Sequence, residues 1–203
     1  MRRLSIIATT LAVLLPGVAD AQAPTGALAI SGSSTVRDWT CRETQFSAAH
    51  DSAGQAAPAA GSGVSLTFPV GAIDCGDAGM NDQLRQALKA SRYPTITFGL
   101  PASEVARALA AGPVPVRVSG ELTIAGETRP VQTDVTVRPA PGEGLQVQGE
   151  QSLRMTDFGV KPPVLMLGLL KVRDLVHVAF DVVVQAATLG HAGVHSGLGQ
   201  TGR

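Results

Sequence analysis

The sequence predicts an all-β chain of eight antiparallel strands, a barrel or a sandwich, and three observations carry that reading. Short runs in which apolar and polar residues alternate recur along the chain. Turn residues separate them at hairpin-like intervals. The one clear mid-chain helical spacing is Met80, Leu84 and Leu88, four residues apart.

Taken in order, the predicted strands are Ala27–Val36, Trp39–Ala48, Val64–Ile73, Thr95–Leu100, Val114–Ile124, Val131–Val137, Leu145–Arg154 and Val172–Val184. Between the second and third, Asp51–Gly63 is rich in Ala, Gly, Ser and Pro and reads as a mobile loop. The helix precedes Tyr93-Pro94, where proline biases the preceding residue out of helical geometry, and Thr95 resumes the alternation. Ile124-Ala-Gly-Glu-Thr128 is a short hairpin connection.

Each strand has one apolar face. Val64, Leu66, Phe68 and Val70 share a parity, as do Ile96, Phe98 and Leu100, and Val116, Val118, Leu122 and Ile124. Val131, Thr133, Val135 and Val137 follow the same rule, as do Val176, Val178, Phe180 and Val182. Aromatic residues make up only 3% of the chain, so these faces are aliphatic. An eight-stranded barrel with such an interior is either filled by its side chains or open around one ligand. Aliphatic walls suit a flexible hydrocarbon better than a stacked planar ring.

The chain opens with two arginines, an apolar run and Ala19-Asp20-Ala21, which reads as a signal peptide spanning 1–21. The apolar run is shorter than a confident membrane span. About 180 residues remain, a single-domain length with room for a core. Removing Arg2, Arg3 and Asp20 leaves 14 basic against 15 acidic residues. That balance, with no basic cluster, excludes nucleic acid as a partner. Cys41 and Cys75 both follow the leader, and an oxidising compartment turns such a lone pair into a structural disulfide. A redox or metal pair is the alternative, but Cys-x-x-Cys spacing and a nearby histidine pattern are missing.

Catalytic signatures are absent: there is no Gly-x-Ser-x-Gly, no Ser-x-x-Lys, no His-Glu-x-x-His and no phosphate-cradling glycine loop. The chain therefore reads as non-enzymatic and free of cofactor and metal. His177 shares the outward parity of Ala179 and Asp181, His50 borders the glycine-rich loop, and His191 and His195 lie in the tail, Leu189–Arg203, which reads as disordered. Asp74, Asp77 and Asp82 lack calcium-loop spacing, and Asp82 or Asn81 reads as the helix N-cap. Arg154 and Asp157 suggest a local ion pair. Val164–Leu170, nearly all apolar after two prolines, is open to three readings: buried turn, lip over a cavity, or patch for a membrane or protein partner.

Four stretches in sequence resemble the YceI-like polyisoprenoid-binding proteins: IDCGDAGMNDQLRQALKASRYPTITF, VSGELTIAGETRPV, the arginine and Asp157-Phe158-Gly159 of LRMTDFGV, and the valine-rich final strand. The resemblance covers roughly residues 27–185. It implies a lipocalin-like, eight-stranded antiparallel barrel with the short helix near its opening, forming one domain over 22–188. It also implies a periplasmic or secreted protein that binds, carries or sequesters an isoprenoid or quinone-like lipid. On that reading the cavity would be lined by Leu66, Phe68, Ile96, Phe98, Leu122, Ile124, Val135, Val178 and Phe180 from the strands. Leu84 and Leu88 would join from the helix, and Leu165 and Leu167 from the apolar loop. From the sequence, Tyr93 and Arg154 are candidate positions for a head-group contact. The alternative is a solidly packed barrel that docks a partner through Val164–Leu170. Transient membrane contact and a homodimer remain open beside the lipid as partner readings.

Overall fold

The computed structural model describes residues 24–51, 63–141 and 144–185, without the side chains of His50, Asp51, Leu165 and Met166. The predicted signal peptide, the interior of the glycine-rich loop and the tail, with His191 and His195, lie outside the described residues. Ten antiparallel strands are present: β1 (Thr25–Ser34), β2 (Asp38–Glu43), β3 (Ser47–Asp51), β4 (Gly63–Pro69), β5 (Thr95–Pro101), β6 (Val116–Ile124), β7 (Glu127–Ala140), β8 (Gly144–Arg154), β9 (Val164–Leu165) and β10 (Leu170–Gln185). Two α-helices accompany them among the described residues, α1 (Ala78–Ala87) and α2 (Ala102–Ala111).

One curled sheet runs β2-β1-β10-β8-β7-β6-β5-β4-β3, and the two-residue β9 pairs with β10 outside that path. Nine strands thus replace the expected eight, because the run predicted as Trp39–Ala48 breaks at 44–46. Its first half pairs with β1 and its second with β4. The two edges of the sheet are therefore consecutive in the chain, and only three residues join them. A bend that lets one strand serve two parts of a sheet is the usual way to turn a corner. Phe46, in the break, stacks on Phe68 of β4 at 5.6 Å. Beyond β4, the Arg42 N–H donates to the Asp74 carbonyl at 2.7 Å and the Asp74 N–H to that of Arg42 at 2.8 Å. A disulfide between Cys41 and Cys75 crosses the same seam.

The β6–β7 hairpin turns on Ala125 and Gly126, both with positive φ (51° and 87°), which matches the twist of the flanking strands. Ala125 accepts this left-handed conformation while buried beside Phe158 and Val160. Outward faces are polar. Gln146 and Gln148 donate to the two carboxylate oxygens of Asp181 at 2.8 and 2.9 Å, and Arg117 forks onto Asp134 with two bonds of 2.9 Å. That pairing lowers the Asp134 pKa. His177 faces outward as expected, 2.8 Å from the Ser152 hydroxyl.

α1 and α2 sit at opposite ends of the barrel, since β5 begins just after one and runs directly into the other. α1 starts earlier than its expected caps: Asp77 is the N-cap and accepts from the Met80 N–H at 2.9 Å. Asn81 is used otherwise, accepting from the Cys75 N–H at 2.7 Å and donating to Asp74 at 2.9 Å. The Asn81 amide, then the Gly76 N–H, hold the Asp74 carboxyl below its ordinary pKa. Asp82 instead pairs with Arg85.

α2 is absent from the sequence-based assignment. It packs against β4, β5, β6 and β7, at the end where β6 runs past its pairing with β5, whose register covers only Thr97–Gly99. Glu104 of α2 accepts the Ser119 N–H of β6 at 2.9 Å, satisfying a donor that a strand partner would otherwise take. That backbone bond is the largest influence holding the Glu104 pKa low.

Candidate ligand cavity

Inside the barrel, between the two helices, lies a cavity of about 680 Å³. That is within the usual range for small-molecule sites, roughly 300–1,000 Å³. The strands build the wall through their period of two, which sends alternate side chains inward. Leu66 and Phe68 come from β4, Ile96 and Phe98 from β5, Leu122 and Ile124 from β6, Val135 from β7, and Val178 and Phe180 from β10. α1 supplies Leu84 and Leu88 with Met80, Gln83 and Ala87, positions three or four apart that form one helical face.

Leu167 does not join them. It is fully exposed and lies outside the wall, because its backbone adopts φ 54°, ψ 32° and turns the residue away. Leu165 pairs with Leu170 through its backbone, and its side chain lies outside the described part. Val164 and Leu169 are exposed as well, so these side chains are not those of a buried turn, whereas Leu170 lines the cavity. Tyr93 also stays outside the wall, lying over Gly126 and packing with the Ala125–Phe158–Val160 cluster.

Several wall residues escaped the sequence-based reading. α2 closes the far end with Val105, Ala108 and Leu109, whose i, i+3, i+4 spacing ahead of Gly112 was the available signal. β1 contributes Leu28 and Ile30, and β2 contributes Trp39. Three of the rings in the wall lie against glycines of a neighbouring strand. A Cβ on Gly32 would overlap Trp39, one on Gly120 would overlap Phe98, and one on Gly149 would overlap Phe180.

Polar groups in the wall are few, and most gather at the α1 end. Ser34 and Arg37 reach it from the β1–β2 hairpin, Asp77 and Gln83 from α1, and Arg154 from the end of β8. Arg154 lies 3.8 Å from Asp174 rather than pairing with Asp157, whose carbonyl accepts from Arg129 at 3.1 Å. Burial pushes the Asp174 pKa up, but bonds from the Thr156 hydroxyl and N–H at 2.7 and 2.9 Å, helped by Arg154, outweigh it and leave the carboxyl below its ordinary value. The indole N–H of Trp39 is buried with no protein acceptor. Among the described residues no group of His, Cys, Asp and Glu is placed to hold a metal ion.

A family model described as the YceI-like domain matches residues 25–184. The chain is similar in structure to BcnA of Burkholderia cenocepacia, with 26% identity, 79% of this chain and 96% of that one covered, and a TM-score of 0.56. It shares its fold with a polyisoprenoid binding domain from Saccharophagus degradans implicated in plant cell wall breakdown, at 18% identity. That match covers 81% of this chain and 94% of the other, with a TM-score of 0.59. No curated protein matches the chain.

Proposed function

The chain belongs to the YceI-like domain family, and from that premise we propose that it binds an isoprenoid or a similar amphiphilic lipid without catalysing a reaction, and carries or sequesters it in the periplasm. The observation that carries this reading is the cavity: about 680 Å³ walled by aliphatic side chains, with polar groups concentrated at one end. An amphiphile fits it in one orientation. Its hydrocarbon lies toward α2, among Val105, Ala108 and Leu109, and its head lies toward α1, near Arg37, Gln83 and Arg154. Binding comes mainly from hydrocarbon removed from water, about 25 cal/mol per Å² of apolar area. The polar end sets the direction, and the same orientation suits a quinone-like ligand. A periplasmic setting accords with the disulfide and with the leader-like N-terminus, and the shared fold with a polyisoprenoid-binding domain accords with the ligand class.

Mass spectrometry of lipids extracted from the protein purified out of the periplasm tests the reading. The expected result is one isoprenoid species in stoichiometric amount. A protein that carries no lipid and takes up neither polyprenol nor quinone would instead be an interaction barrel.

A further inference from the structure

We propose that the α1 end of the barrel docks on an anionic lipid bilayer, its apolar lip entering the headgroup layer and its cations meeting lipid phosphates. Seven large apolar residues are exposed among the described residues, and four of them form this lip: Val36 on the β1–β2 hairpin, and Val164, Leu167 and Leu169 on the β9–β10 hairpin. The two hairpins are fastened to each other. The Thr35 N–H donates to the Lys171 carbonyl at 3.0 Å, while its hydroxyl donates to the Leu169 carbonyl at 2.8 Å and accepts the Lys171 N–H at 3.1 Å. Leu167 stands at the tip in a left-handed conformation uncommon for a side chain of its size. An apolar patch presented this way on a soluble barrel marks an interaction site.

Charge and position select the partner. Arg37, Lys161, Lys171 and Arg173 are exposed around the lip, and none of them forms an ion pair among the described residues. Asp38 is the exposed carboxylate on the same hairpin; elsewhere at the α1 end Asp77 caps the helix, Asp82 is paired with Arg85, and Asp157 is exposed. Apolar side chains ringed by lysine and arginine are the pattern of an interfacial membrane contact, in which each cation near an anionic surface adds attraction. Directly behind the lip, Ser34, Pro163, Leu170 and Val172 line the cavity. A bilayer seated there is continuous with the interior, so a hydrocarbon chain can move between them without crossing water. A protein partner would close the cavity instead. The surface stands on its own geometry, whatever ligand the cavity holds.

Co-sedimentation of the mature protein with vesicles tests the inference. Wild type is expected to bind phosphatidylglycerol–phosphatidylethanolamine vesicles, to bind pure phosphatidylcholine weakly, and to be released by salt. Leu167→Ser with Leu169→Ser should reduce binding at least about tenfold, and Lys161→Glu with Lys171→Glu by a similar factor. Val114→Ser, an exposed apolar residue near the α2 end, should change nothing. If the serine pair lowers the melting temperature, the lysine pair decides. Failure of wild type to bind, or equal binding by the lysine pair, would overturn the inference. So would a wild-type dimer that the serine pair dissociates, which would make the lip an interface between copies.

Discussion

Glu43 is the residue whose surroundings conflict most with its chemistry. It is 1% exposed, its Oε1 accepts the Gln45 N–H at 2.5 Å, and its Oε2 has no protein partner. Burial raises its pKa above the ordinary 4.5, against the pull of the Gln45 and Thr44 N–H groups. The folded state therefore holds this proton more tightly than the unfolded chain does. Its contribution is most favourable below the unfolded pKa and is lost as pH rises through the folded one. Glu43→Gln should raise the melting temperature by about 2–4 °C at pH 8 and leave it nearly unchanged at pH 4, as differential scanning calorimetry would measure. No gain at pH 8 would mean that the carboxylate is better solvated than its burial implies. Residues of this kind are hard to read in sequence. Alternation places Glu43 on the same face as Cys41, yet nothing local says that this face is inside. The glycines behave likewise: Gly149 in mid-strand reads as a weakness, and only the register that sets it opposite Phe180 gives it a purpose.

At the scale of elements, α1 carries a prediction of its own. Leu84→Ser with Leu88→Ser should leave the sheet folded, because its hydrogen-bond ladder and disulfide are untouched. The two side chains would each be worth about 1.5–3 kcal/mol if fully buried, and in the lipid-filled protein part of that falls on the ligand. The off-rate of bound polyprenol should therefore rise by an order of magnitude or more, while the melting temperature of the lipid-free form falls only modestly. A large fall with an unchanged off-rate would make α1 ordinary core. The longer strands were legible because period-two alternation survives in them, and α1 because Met80, Leu84 and Leu88 keep helical spacing, although the helix stops at Ala87 with Lys89 at φ 54°, before Pro94 is reached. The break at 44–46 was not, since Thr44-Gln45-Phe46 carries neither glycine nor proline and the bend comes from pairing with two distant strands. α2 was overlooked although its spacing was present, because it follows β5 without an intervening turn. Its N-cap, Pro101, is also the last residue of that strand.

The whole molecule depends on its seam. Cys41 and Cys75, 34 residues apart, tie β2 to the segment that leads into α1, so the bond serves both the closure of the sheet and the position of the helix. On the chain-entropy model a loop of that length is worth roughly 3–4 kcal/mol. Cys41→Ser with Cys75→Ser should lower stability by that order in urea denaturation while lipid binding persists. Two free thiols in the exported, unreduced protein would show that the seam is held by hydrogen bonds and packing alone. β1 and β10 lie side by side with Thr25 opposite Val183, so both strands meet the rest of the chain at the end farthest from α1. A surface tether joined at either of these strand ends therefore holds the barrel by the end opposite α1. Immobilised in this way, the protein turns its α1 end away from the support, which makes capture of lipid from solution and capture of vesicles separable on one sensor surface.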